Sequence, residues 1–189
     1  MRVPGKWLLL LLIAGMSAPA QAAEESLYSM DFALETEAGE TKMLAGHEGK
    51  PVLVSMFYSH CPHVCPMLVN TIQQVERQLA PEQRERLQVL MISVDPERDT
   101  PEVLAGMARD YRVDASRWTL ARAAEADDTR MLAALLDIRY RKLPDGEFNH
   151  TSAMILLDEQ GREVARSGKL GKPDPEFVAR VAKTLRGAQ

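Results

Sequence analysis

The residues of this chain best suited to chemistry are Cys61 and Cys65, its only two cysteines. A disulfide between them would close a very short loop and remove little chain entropy, so a purely structural bridge is disfavoured. The other common uses of a closely spaced pair are thiol–disulfide redox chemistry and the binding of a soft metal ion. The spacing alone favours neither use over the other.

The residue after the second cysteine is a proline, Pro66. Proline disfavours helical backbone in the residue before it and is common at the first position of a helix. We therefore predict that Cys65 is the N-cap of a helix that begins at Pro66. The unpaired N–H groups and the dipole of a helix N-terminus stabilise a thiolate, which predicts a lowered pKa for Cys65.

A histidine is the natural complement to two thiolates around copper, and the chain has four. His47 lies in a polar turn and is interpreted as a solvated surface residue. His60 and His63 are so near the cysteines that binding one ion together with both sulfurs is awkward, although either could be a labile extra ligand. His150 is different, because it comes from a distant part of the chain.

His150 is followed by Thr151 and Ser152 and then by an apolar stretch at residues 153–157. In a thioredoxin-like topology, the loop that enters this strand passes beside the dithiol. Thioredoxin-type enzymes usually carry a proline in that loop, whereas the nearest one here is Pro144. Its absence counts against ordinary disulfide oxidoreductase chemistry. Without further information a loop histidine is more often solvated than a ligand, so both interpretations of His150 stay open.

Apolar patterns predict the elements that position these residues. Continuous apolar runs at 51–57 and 87–94 are typical of strands buried on both faces. Spacings of three and four predict a helix over 68–79, and Thr100 with Pro101 predicts the start of another. The remaining predicted elements are a hairpin at 32–44, a strand at 118–121, a helix at 129–136, strands at 153–157 and 163–165, and a helix that begins at Asp174 and Pro175.

This alternation predicts an α/β fold, a mixed central sheet with helices on both faces. Binding sites of such sheets lie at the carboxyl ends of the strands, which is where the cysteines follow the first buried strand. A chain with 46% hydrophobic and 26% charged residues has the composition of a globular domain. Its net charge of −4 gives no case for nucleic acid as a partner, and we expect a monomer.

The N-terminus has the three parts of a secretory signal peptide. Two positive charges precede an apolar run that begins at Trp7, and Ala20-Gln21-Ala22 forms a small-x-small cleavage signature. The apolar run is short for a membrane span, which needs about 20 residues. We predict a signal peptide at 1–22, one domain at 23–189 and a periplasmic location, with an uncleaved anchor as the alternative.

Three segments together resemble the Sco/SenC family of copper-delivery proteins for cytochrome oxidase assembly. They are CPHVCP at residues 61–66, DPERDTP at 95–101, and HTS at 150–152 ahead of ILLD at 155–158. The resemblance runs from about Phe32 to the last helix. It departs from the family at His63, where an acidic or other polar residue is usual, and in lacking a tyrosine in the strand after His150. A membrane anchor is also typical of the family.

The resemblance implies a thioredoxin-like fold that binds Cu(I) or Cu(II) through Cys61, Cys65 and His150. It further implies delivery to the copper A centre of cytochrome c oxidase subunit II. Because the same sulfurs can form a disulfide in an oxidising compartment, a periplasmic thiol reductant is an expected partner. We expect residues 95–101 to have a structural role, and Met67 is a weak candidate for a further copper ligand.

A metallochaperone, rather than an enzyme, is therefore the expected class. The alternative is a thiol–disulfide oxidoreductase with Cys61 and Cys65 as its redox-active dithiol, acting on the cysteines of the acceptor or in extracytoplasmic redox homeostasis. A peroxidase is disfavoured, because nothing besides the cysteines suggests peroxide activation. A non-catalytic binding domain with an incidental bridge is the remaining possibility.

Overall fold

The computed structural model describes residues 26–187, so the predicted signal peptide lies outside the described residues. Strands and helices alternate along this range. The strands are β1 (Ala33–Thr36), β2 (Thr41–Met43), β3 (Val52–Phe57), β4 (Gln88–Ser93), β5 (Trp118–Ala123), β6 (Tyr140–Lys142), β7 (Phe148–His150), β8 (Met154–Leu157) and β9 (Glu163–Ser167). The α-helices are α1 (Val64–Arg77), α2 (Pro81–Arg86), α3 (Pro101–Asp110), α4 (Ala126–Leu135) and α5 (Pro175–Arg186).

Seven of the strands form one mixed sheet in the order β2-β1-β5-β4-β3-β8-β9. Its centre, β3, β4 and β5, is parallel, while β1 and β8 pair with it in the antiparallel sense. Every residue of β3 and of β8 is buried. Since successive side chains of a strand point to opposite faces, both faces of the sheet are covered. This confirms the predicted α/β fold with a mixed central sheet.

The register of the central strands determines where the site can form. β3 and β4 run in parallel from the pair Val52 and Gln88 to the pair Phe57 and Ser93. Their carboxyl ends therefore lie side by side at one edge of the sheet. The loop with Cys61 leaves β3 at this edge, and the loop of residues 94–100 leaves β4 beside it. The predicted position of the dithiol is confirmed.

Two helix starts follow the capping rules used on the sequence. The side chain of Thr100 accepts a hydrogen bond from the N–H of Val103 at 3.5 Å, and Pro101 is the first residue of α3. Asp174 accepts from the N–H of Glu176 at 3.2 Å, ahead of Pro175 in α5. Both predicted N-caps are confirmed.

Three of these strands and helices were not predicted. The helix α2 has no buried residue, so it leaves no apolar period in the sequence. The strands β6 and β7 pair only with each other, and a turn with Pro144, Asp145 and Gly146 joins them. Gly146 has a φ of 86°, a left-handed backbone that glycine adopts readily. His150 therefore ends a strand of this hairpin, and the prediction that it lies in a loop is wrong.

Among the helices of residues 26–187, none has both the length and the apolar character needed to cross a bilayer.

Candidate metal centre

The helix after the dithiol begins earlier than predicted. His63 is the N-cap of α1, so Cys65 is the second residue of the helix, and its prediction as the N-cap is wrong. The sulfur of Cys61 accepts a hydrogen bond from the N–H of Cys65 at 3.4 Å and so satisfies a donor of the first turn. Pro66 is tolerated at the third position because N–H groups of the first turn have no partner within the helix.

The two thiols are both free and differ in their readiness to ionise. Burial opposes ionisation of Cys61, but hydrogen bonds from the N–H groups of Cys65, His63 and Val64 and from the Cys65 thiol outweigh it and lower its pKa. Burial raises the pKa of Cys65, and the charge of the neighbouring Cys61 raises it further. The lowered pKa therefore belongs to Cys61, and the prediction for Cys65 is wrong.

The start of the cysteine loop is held by a buried carboxylate, that of Asp99. It accepts hydrogen bonds from the N–H of Ser59 at 3.1 Å, from the Ser59 hydroxyl, and from the hydroxyl of Ser93 at 2.5 Å. A buried carboxylate is tolerated when several donors satisfy it. Asp99 thus fixes the loop of β3 to the end of β4, and the structural role expected for residues 95–101 is confirmed.

The same segment also holds the hairpin that carries the predicted third ligand. Arg98 pairs with buried Asp95 and donates a hydrogen bond to the carbonyl of Gly146 at the hairpin turn. Its guanidinium also lies 5.9 Å from the ring centroid of Phe148, within cation–π range. The loop after β4 therefore contacts both parts of the site, the cysteine loop and the β6–β7 hairpin.

His150 is half-buried and has one ring nitrogen without a partner. Its Nδ1 lies 3.3 Å from the carbonyl oxygen of Thr151, which assigns the ring proton to Nδ1. Its Nε2 is buried and has no hydrogen-bond partner within the described part of the chain. Burial lowers the pKa of the imidazole, so the ring is neutral near pH 7. A neutral imidazole with a bare Nε2 is the form that binds metals.

Tyr58, which the sequence analysis did not single out, lies against both parts of the site. Its ring meets that of His150 edge-on, with the centroids 5.6 Å apart. Its hydroxyl donates to the carboxylate of Glu147 at 3.0 Å. Burial raises the pKa of this phenol, and hydrogen bonding to Glu147 and Cys61 raises it further. Its position directly after β3, ahead of the cysteine loop, is the sequence signal that could have identified it.

The predicted ligands are only partly brought together. Cys61 and Cys65 are in contact, whereas His150 contacts Tyr58. No three His, Cys, Asp or Glu side chains within residues 26–187 are close enough to hold one metal ion. In this conformation the site consists of a pair of thiols in contact with each other and a neutral imidazole that packs against Tyr58.

The other histidines have separate environments. His60 is exposed, and its Nδ1 lies 2.9 Å from the hydroxyl of Ser59. His63 is also exposed, and its imidazole makes no capping hydrogen bond to α1. His47, predicted to be a solvated surface residue, is half-buried in a 3₁₀ turn after β2, and burial lowers its pKa.

The sequence of this chain matches a known protein family. The profile of the family described as SCO1/SenC matches residues 20–186. The chain belongs to the SCO1/SenC family. It is 33% identical over 137 residues to a mitochondrial SCO2 homologue of Bos taurus, which covers 69% of this chain and 50% of the bovine protein. The SCO1/SenC chain thus spans about half the length of that relative.

Two solved structures resemble this SCO1/SenC protein over most of its length. A SCO1/SenC family lipoprotein from Bacillus anthracis has a TM-score of 0.76 at 21% identity, over 88% of this chain and 99% of that one. The copper-bound structure of ScoI from Bradyrhizobium japonicum has a TM-score of 0.68 at 25% identity, over 85% of this chain and 98% of that one. The thioredoxin-like fold expected from the resemblance is confirmed.

The role of Asp99 can be tested by replacing it with asparagine. The new amide would direct N–H donors at the donors of Ser59 and Ser93, so we expect Asp99→Asn to lower the free energy of unfolding by about 1–3 kcal/mol. Urea denaturation of the reduced protein measures this loss. Asp127→Asn is the matched control, since this carboxylate is exposed on α4 and pairs only at the surface. An equal loss in both variants would contradict the role given to Asp99.

The two thiols should react at different rates with iodoacetamide. Because the thiolate is the nucleophile, the alkylation rate rises as the pH passes the pKa of each thiol. We expect Cys61 to be modified first, with a rate midpoint at lower pH than that of free cysteine, and Cys65 to react only at higher pH. Peptide mapping by mass spectrometry over a pH series measures both rates. Faster modification of Cys65 would show that the order is reversed.

Proposed function

We propose that this SCO1/SenC protein is a copper metallochaperone that binds copper through Cys61, Cys65 and His150. The observation that carries the proposal is the bare Nε2 of His150, which is buried without a hydrogen-bond partner in the described structure. A buried polar atom left unpaired costs free energy, and a metal bond would remove that cost. The hydrogen bond of Nδ1 to Thr151 directs the lone pair onto Nε2, as in most histidine ligands of metals.

The donor set suits copper better than it suits hard cations. Two cysteine sulfurs select Cu(I), zinc and related soft ions, and imidazole is a common ligand of copper. The ScoI structure from Bradyrhizobium japonicum has copper bound, and 98% of the ScoI chain aligns with this one. Copper is therefore the ion that we assign to this chain.

Closing the three ligands around copper requires His150 to shift from its contact with Tyr58 toward the sulfurs, because the three side chains form no cluster in the described part of the chain. The β6–β7 hairpin pairs only with itself, so its shift would break no bond of the main sheet. It is held to the rest of the domain by side chains, among them Arg98 at Gly146 and Tyr58 at Glu147. In the proposed mechanism, copper first joins the two sulfurs, and His150 then completes the site as the hairpin closes.

Release follows the same steps in reverse, by ligand exchange. A donor atom of the acceptor displaces His150 and then the sulfurs, and the copper keeps its charge throughout. The acceptor that we propose is the copper A centre of cytochrome c oxidase subunit II, which the resemblance of the sequence to the family implies. The signal peptide predicted at residues 1–22 supports a periplasmic location for this exchange. Oxidation of the two thiols to a disulfide would exclude copper, so a thiol reductant is a required partner.

A second function, thiol–disulfide exchange with the cysteines of the acceptor, is favoured by one observation. The pKa of Cys61 is lowered and that of Cys65 is raised. A more acidic attacking thiol followed by a buried resolving thiol is the arrangement that exchange through a mixed disulfide requires. This function needs both cysteines but makes no use of His150.

The contribution of His150 to copper binding can be measured with His150→Ala. We expect its Cu(I) affinity to fall by at least about tenfold, since mutation of residues that only hydrogen-bond to a metal ligand already lowers metal affinity by about 10–100-fold. Anaerobic titration of the reduced protein against a chromogenic Cu(I) chelator measures this affinity. His47→Ala is the matched control, because His47 is half-buried like His150 but lies beyond the β2 edge of the sheet.

The same variant separates the two functions. A metallochaperone loses copper retention in His150→Ala, while its reduction of a small test disulfide continues at the original rate. Unchanged affinity in His150→Ala, or an equal loss in His47→Ala, would contradict the ligand set proposed here.

A further inference from the structure

The sulfurs of the dithiol are poorly accessible to an arriving ion. Cys61 is 8% exposed and Cys65 only 1%. Copper is carried by proteins or small chelators and exchanges ligands one at a time, so an outer pair of donors would ease its entry. Suitable donors for Cu(I) are thioether sulfur and imidazole nitrogen, which bind hard cations poorly.

Such a pair lies at the start of α1, beside the dithiol: His63 is the N-cap and Met67 lies in the helix. The N–H of Met67 donates to the carbonyl of His63 at 3.4 Å, so the two residues are one helical turn apart. Residues at this spacing lie on the same face of a helix, so rotation of the flexible Met67 side chain can bring its sulfur toward His63. Along the sequence, potential copper ligands occupy every second position from 61 to 67, namely Cys61, His63, Cys65 and Met67.

Both donors are open to solvent. Met67 is 42% exposed, a large fraction for an apolar side chain, and the imidazole of His63 is exposed without a capping bond. The sulfur of Met67 lies over Gly171, where an added Cβ would meet it at 3.5 Å. The N–H of Gly171 is bonded to the Thr71 hydroxyl at 2.8 Å, which holds this loop against α1. A glycine at this position leaves the thioether uncovered.

We infer that His63 and Met67 form an outer Cu(I) site that receives the ion and passes it to Cys61 and Cys65. The inference rests on the proposed copper function and adds an entry step to it. The thiolate of Cys61 binds the copper and Met67 leaves; Cys65 then loses its proton to water, binds, and releases His63. Two copper–thiolate bonds replace one copper–thioether bond and one copper–imidazole bond, and the copper remains Cu(I).

The chain contains a matched pair with the same spacing elsewhere. Met43 is exposed and His47 follows it by four residues, in β2 and the 3₁₀ turn after it. This pair lies at the edge strand of the sheet, and β1, β5 and β4 separate that edge from β3. It supplies the control for any general affinity for Cu(I) of a Met and a His at this spacing.

The outer site can be measured without the inner one. In the Cys61→Ser/Cys65→Ser variant, methionine methyl groups labelled with ¹³C are followed by NMR during anaerobic titration with Ag(I), a redox-inert substitute for Cu(I). We expect the Met67 methyl signal to shift while that of Met43 does not, and His63→Ala to abolish the shift. A Met67 signal that stays unchanged, or that shifts no more than the Met43 signal, would overturn the inference.

A kinetic measurement in the intact protein tests transfer. We expect Met67→Leu to slow the loading of the dithiol from a weak Cu(I) chelate by about tenfold, with the final affinity unchanged, while Met43→Leu loads at the original rate. Equal rates in both variants would overturn the entry step alone. Failure of the unaltered protein to take up Cu(I) through its cysteines would instead overturn the proposed function.

Discussion

The buried carboxylate of Asp99 is the interaction on which the arrangement of this site depends. It accepts hydrogen bonds from Ser59, at the start of the cysteine loop, and from Ser93, at the end of β4. Parallel pairing of β3 and β4 brings these two strand ends together, and Asp99 converts that proximity into a fixed loop. Arg98, the residue before it, reaches the hairpin of His150. One short loop thereby positions donors that are far apart in the sequence.

The two sulfurs show how local geometry divides one motif into unequal parts. The sulfur of Cys61 accepts hydrogen bonds from N–H groups at the start of α1, and these lower its pKa despite burial. Cys65 lies inside that turn, where its own N–H is used and its thiol is desolvated, and its pKa is raised. A helix N-terminus favours the thiolate that faces its open N–H groups, which here is the residue ahead of the helix. In the proposed copper site, we therefore expect loading to begin at Cys61 and to finish with removal of the Cys65 proton.

Much of the fold could be predicted because its signals are local. Apolar runs identify β3 and β4, and the Thr100-Pro101 and Asp174-Pro175 pairs identify the starts of α3 and α5. The position of the dithiol at the end of β3 followed from topology alone. The N-cap of α1 could not be predicted in this way, because the sulfur of Cys61 takes a capping role that sequence rules give to oxygen-bearing side chains.

The surroundings of His150 were harder to predict, since they depend on contacts between distant segments. The β6–β7 hairpin has strands of three residues, too short for an apolar alternation, and only the turn at Pro144-Asp145-Gly146 indicates it. Tyr58 becomes part of the site only when this hairpin folds over the end of β3. The Nε2 of His150 is left unpaired by that packing, a property that no sequence pattern contains.

The most direct test of the copper site is a crystal structure of the reduced protein loaded with one equivalent of Cu(I). We expect copper bonded to the sulfurs of Cys61 and Cys65 and to Nε2 of His150, with the β6–β7 hairpin shifted and the ring contact between His150 and Tyr58 broken. Copper held by the sulfurs alone, with His150 still packed edge-on against Tyr58, would contradict the central claim.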